Sequence, residues 1–134
     1  MTDLSSEDHH LLDAAREIIR LRQRSKRHKI GAALRTRSGR VFRAVNVEAE
    51  VGRISVCAEA VAVGMAVAEG DPQISAIVAV RESGEVVPPC GMCRELVLDY
   101  AMDAEVVVPG NGGAERVPMA DLLPNKFHGG LRDT

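Results

Sequence analysis

Four residues carry the chemistry that this sequence supports most directly: Cys57 and Glu59 in "CAE", and Cys90 and Cys93 in "PPCGMCRELVLD". Cys57 and Cys90 each fall at or just before the first turn of an expected helix, and Cys93 lies one turn into the second. Backbone N–H groups and the helix dipole at such positions favour thiolate over thiol, and thiolate is the metal-binding form. Residues at i and i+3 share a helix face, so Cys90 and Cys93 can grip one ion. The only remaining cysteine, Cys57, is then the third ligand. Three sulfurs on zinc leave a fourth position for water, the arrangement of a catalytic centre. A lone C-x-x-C also suits a redox pair, but the thioredoxin-like context is missing. Bare core cysteines are the bland alternative.

Glu59 sharpens the choice. A carboxylate two residues from one ligand can take a proton from a zinc-activated water and return it elsewhere. C-x-E followed by P-C-x-x-C is the pattern of zinc-dependent nucleobase deaminases. Here "CAE" and "PCGMC" carry it, and an isolated surface glutamate would not complete it.

The elements that must position these residues can be read from periodicity. "SSEDHHLLDAAREIIRLRQR" opens with a Ser5-x-x-Asp8 start and repeats apolar residues at Leu11, Leu12, Ala15, Ile18 and Ile19, an amphipathic helix over 6–23. "IGAALRT" and "RVFRAVNVE" flank "RSGR" as a hairpin. "VCAEAVAVGMAVAEG" is helical and stops at Gly70. "ISAIVAVRE" is a strand buried on both faces, "CGMCRELVLDYA" the second central helix, and "AEVVVPG" the next strand. "GNGGAERVPMADLLPNKF" supplies a turn, a last short strand and one helical turn. This order predicts a mixed sheet with helices packed on it.

Composition narrows the classes. The chain has 134 residues, 46% hydrophobic and 27% charged, with net charge −2, which fits one domain and gives no general pull toward nucleic acid or anionic membrane. Three cysteines argue against a disulfide framework. The longest apolar run, residues 60–68, is too short to span a bilayer, and the polar start is no secretory signal. The expected location is cytoplasmic.

With these motifs in place, the chain resembles the cytidine deaminase family in its small form with three cysteine ligands. The likeness runs from about Gly31 to Phe127 through "NVE", "CAE", "PCGMCR" and "LLPNKF". It implies a single α/β domain over 1–134, with a leading helix in 1–24 and a tail over 124–134. The implied fold is three-layer α/β/α around a mixed five-stranded sheet. It implies one zinc per chain and a homotetramer with active sites at subunit contacts. The implied reaction is hydrolytic deamination of the cytosine moiety of a nucleoside, taking cytidine or deoxycytidine to uridine or deoxyuridine plus ammonia, a step of pyrimidine salvage. By the same resemblance Asn46 and Glu48 hydrogen-bond the ribose. The backbone of Ala58 meets the pyrimidine, and the Pro89 carbonyl turns toward the leaving amine. Arg94 offsets the negative charge of three thiolates on zinc.

Three positions depart from the family pattern. His28, in "HKIGAA", replaces an aromatic residue that packs on the pyrimidine; Gly52 replaces a tyrosine before the first ligand; and Ala60 stands where a second arginine is common. A histidine before the small-residue run resembles the blasticidin S deaminases instead. A cytosine-bearing antibiotic or another modified pyrimidine is therefore the second substrate class. The run "RLRQRSKRHK" over 20–29 holds six Lys/Arg and raises a third reading, a polynucleotide-binding deaminase. The net negative charge and scarce aromatics argue against it. His9, His10 and His128 are surplus to the ligand set.

Overall fold

The computed structural model describes residues 3–23 and 27–131. Arg24, Ser25 and Lys26 of the basic run, and residues 132–134 of the tail, lie outside the described residues. Helix α1 spans Ser6–Arg22. Its start is a capping box: the Asp8 backbone N–H donates to Ser5 Oγ at 3.1 Å, and the Ser5 N–H donates to Asp8 Oδ2 at 2.9 Å. Strands β1 (Ile30–Thr36) and β2 (Val41–Val45) form the expected hairpin. Helix α2 (Ala58–Ala68), strand β3 (Ile74–Arg81), the two-residue strand β4 (Val86–Val87) and helix α3 (Gly91–Tyr100) follow. Strands β5 (Glu105–Gly110) and β6 (Gly113–Pro118) and a short 3-10 turn, Met119–Leu122, complete the described elements.

The sheet order is β2-β1-β3-β5-β6, with β4 pairing on β3. Among the described strands only the β3–β5 pairing is parallel; the others are antiparallel. The sheet is thus mixed, with six strands among the described residues rather than five. The extra one is β4, whose two residues are too few to leave a periodic signal in the sequence.

Alternation along the strands splits the core into two layers. Leu34, Ile77 and Val106 face α2 and α3, packing with Ala62, Val63, Val97 and Leu98. Their neighbours Ala33, Val78 and Val107 face α1, packing with Leu11, Leu12, Ala15 and Ile19. That is why "ISAIVAVRE" reads as continuously apolar. α1 lies so close to β1 that a Cβ on Gly31 would sit 2.5 Å from the Ala15 carbonyl oxygen and 2.8 Å from Ile19 Cβ. The glycine of "IGAA" is required by this approach.

Candidate metal centre and catalytic pocket

Both central helices begin at a cysteine. Cys57 is the N-cap of α2 and Cys90 the N-cap of α3, each with extended backbone and neither using its side chain to cap the helix. The two sulfurs are therefore free to meet a different partner, and both helix N-termini bring their positive ends to the same place. The Sγ atoms of Cys57, Cys90 and Cys93 lie within 4.8 Å of one another. Cys57 and Cys90 are 3.6 Å apart, far beyond a disulfide bond. A zinc–sulfur length of about 2.3 Å puts the edge of a tetrahedral site at roughly 3.8 Å. The spacing fits a tetrahedral ion.

Electrostatics around the sulfurs agrees. Burial, followed by the charge of Glu59, pushes the Cys93 thiol far above the ordinary thiol range. Burial also raises Cys57. Burial opposes ionisation of Cys90 too, but the Cys93 backbone N–H and the neighbouring thiols outweigh it and hold Cys90 below the ordinary value. The shifts thus run down for Cys90 and up for Cys57 and Cys93. A zinc ion would favour the thiolate form of all three and takes thiolate ligands in preference to carboxylates. The donor set fits zinc, with one ion per chain.

Glu59, in the first turn of α2, is only 6% exposed. Burial raises its carboxyl above the ordinary range, partly offset by its own backbone N–H. It shares the lining of a cavity of about 240 Å³ with Cys57, Cys90, Asn46, Glu48, Ser55 and Ala58, between walls of Ile30, Val56, Val87 and Pro88. The loop leading to Cys57 is closed by a two-way bridge. Val47 N–H donates to Val56 O at 2.9 Å, and Val56 N–H donates to Val47 O at 2.8 Å.

Asn46 and Glu48 both reach this cavity, but in different states. The Asn46 side-chain oxygen accepts from the backbone N–H groups of Lys29 (2.9 Å) and Ile30 (3.0 Å). Its amide nitrogen donates to the Arg27 carbonyl (2.9 Å) and to Glu48 Oε1 (3.0 Å). All four hydrogen-bonding capacities of the amide are filled. Glu48 Oε2 accepts from Ser55 Oγ at 3.3 Å, so its carboxylate is oriented on both oxygens yet keeps acceptor capacity.

The other expected site residues are placed as follows. Ala58 is buried and lines the cavity. His28 does not line it; its Nδ1 donates to the Asn46 carbonyl at 2.9 Å. Pro89 is buried behind Pro88, and it is Pro88 that faces the cavity. The Pro89 carbonyl accepts from Arg94 Nε at 2.9 Å, and Arg94 Nη1 donates to the Leu122 carbonyl at 3.0 Å. Arg94 thus ties the turn before α3 to the chain after β6. A Cβ on Gly52 would meet nothing within 4 Å, so the place of the missing tyrosine stays open. The sequence reading missed Ser55, Val87 and Pro88. Of these only Ser55 left a signal, a hydroxyl two residues before Cys57.

The family described as "Cytidine and deoxycytidylate deaminase zinc-binding region" matches residues 5–109. The chain is 41% identical over 133 residues to a blasticidin-S deaminase from Bacillus cereus, covering 93% of this chain and 95% of the other. It is 34% identical over 103 residues to a cytidine deaminase from Halalkalibacterium halodurans, covering 75% and 78%. Its fold is similar to the crystal structure of cytidine deaminase from Burkholderia pseudomallei, with TM-score 0.76, 32% identity, and 92% and 100% of the two chains covered. The cytidine deaminase structure from Mycobacterium tuberculosis gives TM-score 0.78 at 25% identity, covering 92% and 99%.

Proposed function

This chain belongs to the cytidine and deoxycytidylate deaminase family, and on that premise we propose that it hydrolyses the cytosine moiety of a nucleoside to uracil and ammonia. The observation that carries the proposal is the buried Glu59 sharing one cavity with Cys57 and Cys90, whose sulfurs converge with that of Cys93. Cys57, Cys90 and Cys93 would hold zinc. When bound, zinc lowers the pKa of a water at its open position to near neutrality and so supplies hydroxide to the pocket.

The chain's own residues do the rest. Glu59 takes the proton given up by the water and delivers it to the ring N3. It then takes the proton of the hydroxyl now on C4 and gives it to the exocyclic amine as the C4–N bond breaks and ammonia leaves, the oxygen remaining on C4 as a carbonyl. Its raised pKa, caused by burial, suits a group that must both accept and release a proton. The Ala58 backbone meets the pyrimidine edge. Glu48, held by Asn46 and Ser55, accepts from a sugar hydroxyl. Asn46 acts through Glu48 and through the 27–30 segment, whose backbone its amide holds. The Pro89 carbonyl keeps a second lone pair for the departing amine, and Arg94 fixes that carbonyl in place.

Cytidine or deoxycytidine is the first substrate class. The second is a cytosine-bearing antibiotic of the blasticidin S type, favoured by the 41% identity over 93% of this chain. The proposal also includes a homotetramer, a cytoplasmic location and a pyrimidine-salvage role. Exposed Phe127 (78%) and Met92 (70%) beside the metal helix are apolar surface suited to subunit contact. Among the described residues, no helix is long and apolar enough to cross a membrane.

The test is ammonia release by protein verified to hold one zinc per chain, with cytidine and blasticidin S assayed in parallel. Turnover of cytidine supports the first class; turnover of blasticidin S alone supports the second. Absence of turnover with either, zinc being bound, overturns both.

A further inference from the structure

The β1–β2 hairpin comes apart at a defined place, and side chains take over there. Its register runs to Gly31 opposite Val45, so the next pair would be Ile30 with Asn46. In an antiparallel ladder such a pair exchanges two backbone hydrogen bonds. One of them forms, with Asn46 N–H donating to Ile30 O at 3.3 Å. The return bond is replaced: Ile30 N–H donates at 3.0 Å to the side-chain oxygen of Asn46 rather than to its carbonyl. The Asn46 carbonyl accepts from His28 Nδ1 at 2.9 Å instead.

This substitution matters because of what the other end of the Asn46 amide does. Its Nδ2 donates to Glu48 Oε1 at 3.0 Å, while Ser55 Oγ reaches Oε2 at 3.3 Å. Glu48 is exposed, so these two bonds, rather than packing, aim its carboxylate into the cavity it lines. The amide holds that orientation because its oxygen is engaged by the N–H groups of Lys29 and Ile30. Asn46 is buried, and a buried carbonyl left without a donor is costly. Extending the ladder by one pair would offer it the Ile30 N–H. That bond would draw Ile30 away from the Asn46 side chain and free the amide to turn from Glu48. His28 supplies the competing donor. It is half-buried and does not line the cavity, and donation to a carbonyl requires its proton on Nδ1.

We propose that His28, in its Nδ1–H form, is a positioning residue for Glu48: by occupying the Asn46 carbonyl it stops the hairpin one pair short and keeps the Asn46 amide turned toward the Glu48 carboxylate. His28 thereby acts on recognition of the sugar without touching the substrate. This rests on the deaminase reading of the cavity, in which Glu48 accepts from a sugar hydroxyl.

Two measurements on the zinc-loaded protein test it. Long-range proton–nitrogen correlation spectra of the neutral imidazole are expected to show His28 as the Nδ1–H tautomer; the Nε2–H tautomer overturns the proposal outright. Calorimetric binding of uridine then reads the site without requiring turnover, and KM for blasticidin S replaces it if that is the compound the wild type turns over. His28→Ala and His28→Phe should weaken binding roughly three- to tenfold, the range for losing one net hydrogen bond. His28→Asn, whose Nδ2 can stand in for Nδ1, should recover most of that loss. In a Glu48→Ala background His28→Ala should cost less than about twofold, because no carboxylate is left to aim. Thermal melts and metal analysis accompany each variant, and if His28→Ala fails to fold, the Phe and Asn variants carry the comparison. An equal loss in both backgrounds, or no difference between the Phe and Asn variants, overturns the proposal. Normal wild-type binding with no response to His28 refutes the positioning role alone and leaves the deaminase reading standing. A wild type that holds zinc yet neither binds uridine nor turns over cytidine or blasticidin S removes that reading, and the positioning role with it.

Discussion

Arg94 and Pro89 are locked together across the start of α3, with Arg94 Nε donating to the Pro89 carbonyl at 2.9 Å while Nη1 reaches Leu122 O at 3.0 Å. One guanidinium therefore joins the turn that delivers Cys90 to the segment that follows β6. The sequence assigns Arg94 the offsetting of charge at zinc; its hydrogen bonds to Pro89 O and Leu122 O give it a positioning task as well.

Arg94→Gln should accordingly lower stability by about 1–3 kcal/mol, the range for losing hydrogen bonds made by a charged group. Zinc content should stay at one per chain, while kcat falls more than KM changes. Thermal unfolding, metal analysis and steady-state kinetics check the three statements. A variant with unchanged melting temperature and lost zinc would return Arg94 to the charge-tuning role alone.

Asn46 and Glu48 should separate cleanly. Asn46→Ala orphans the N–H groups of Lys29 and Ile30 and the Arg27 carbonyl, so stability should fall by about 2–4 kcal/mol and KM should rise. Glu48 is exposed, and Glu48→Gln should raise KM for a ribonucleoside roughly tenfold or more while the melting temperature stays within about 2 °C, as surface substitutions usually leave it. Denaturant melts beside KM values for the two variants decide it.

Much of this site was legible in the sequence, for local reasons. Cys57, Cys90 and Cys93 announce themselves through helix-start spacing, Glu59 by standing two residues from Cys57, and Ser5 with Asp8 by the capping-box interval. These signals span a few residues. What stayed hidden is long-range. The amide of Asn46 is filled by partners mostly 16–19 residues away, and Arg94 reaches Leu122 across 28 residues. Pro88 and Pro89 are indistinguishable in "PPC"; only the turn geometry decides which faces the cavity. Likewise β4 exists because β3 offers it an edge, not because two valines favour a strand.

Gly31→Ala should destabilise the fold by about 1–3 kcal/mol, the usual cost of overpacking, because its Cβ would overlap the Ala15 carbonyl at 2.5 Å. α1 must then lift from β1. Thermal melts of the zinc-loaded protein should show a drop of several degrees, and an unchanged melting temperature would mean that α1 can shift freely.

Asp71 supplies a pH signature. Thr36 Oγ1 and Ser38 Oγ donate to its Oδ2 at 2.6 and 2.7 Å, and these bonds hold its carboxyl below its ordinary value of 3.8. A depressed native pKa contributes stability that is present above the unfolded value and lost as pH falls through the native one. The wild type should therefore exceed Asp71→Asn in melting temperature at neutral pH, and the difference should shrink below about pH 4. A gap that widens in acid would contradict the assignment.

Glu59 is proposed to move the protons for a reaction carried out beside one zinc held by Cys57, Cys90 and Cys93. Its most direct test is the rate of ammonia release from cytidine or blasticidin S, whichever the wild type turns over faster, by zinc-loaded Glu59→Gln. The account predicts that this variant binds one zinc per chain, folds as the wild type does, and loses about 100- to 10,000-fold or more in kcat, the range of general acid–base catalysis. A kcat within a few-fold of wild type, with zinc in place, would contradict it.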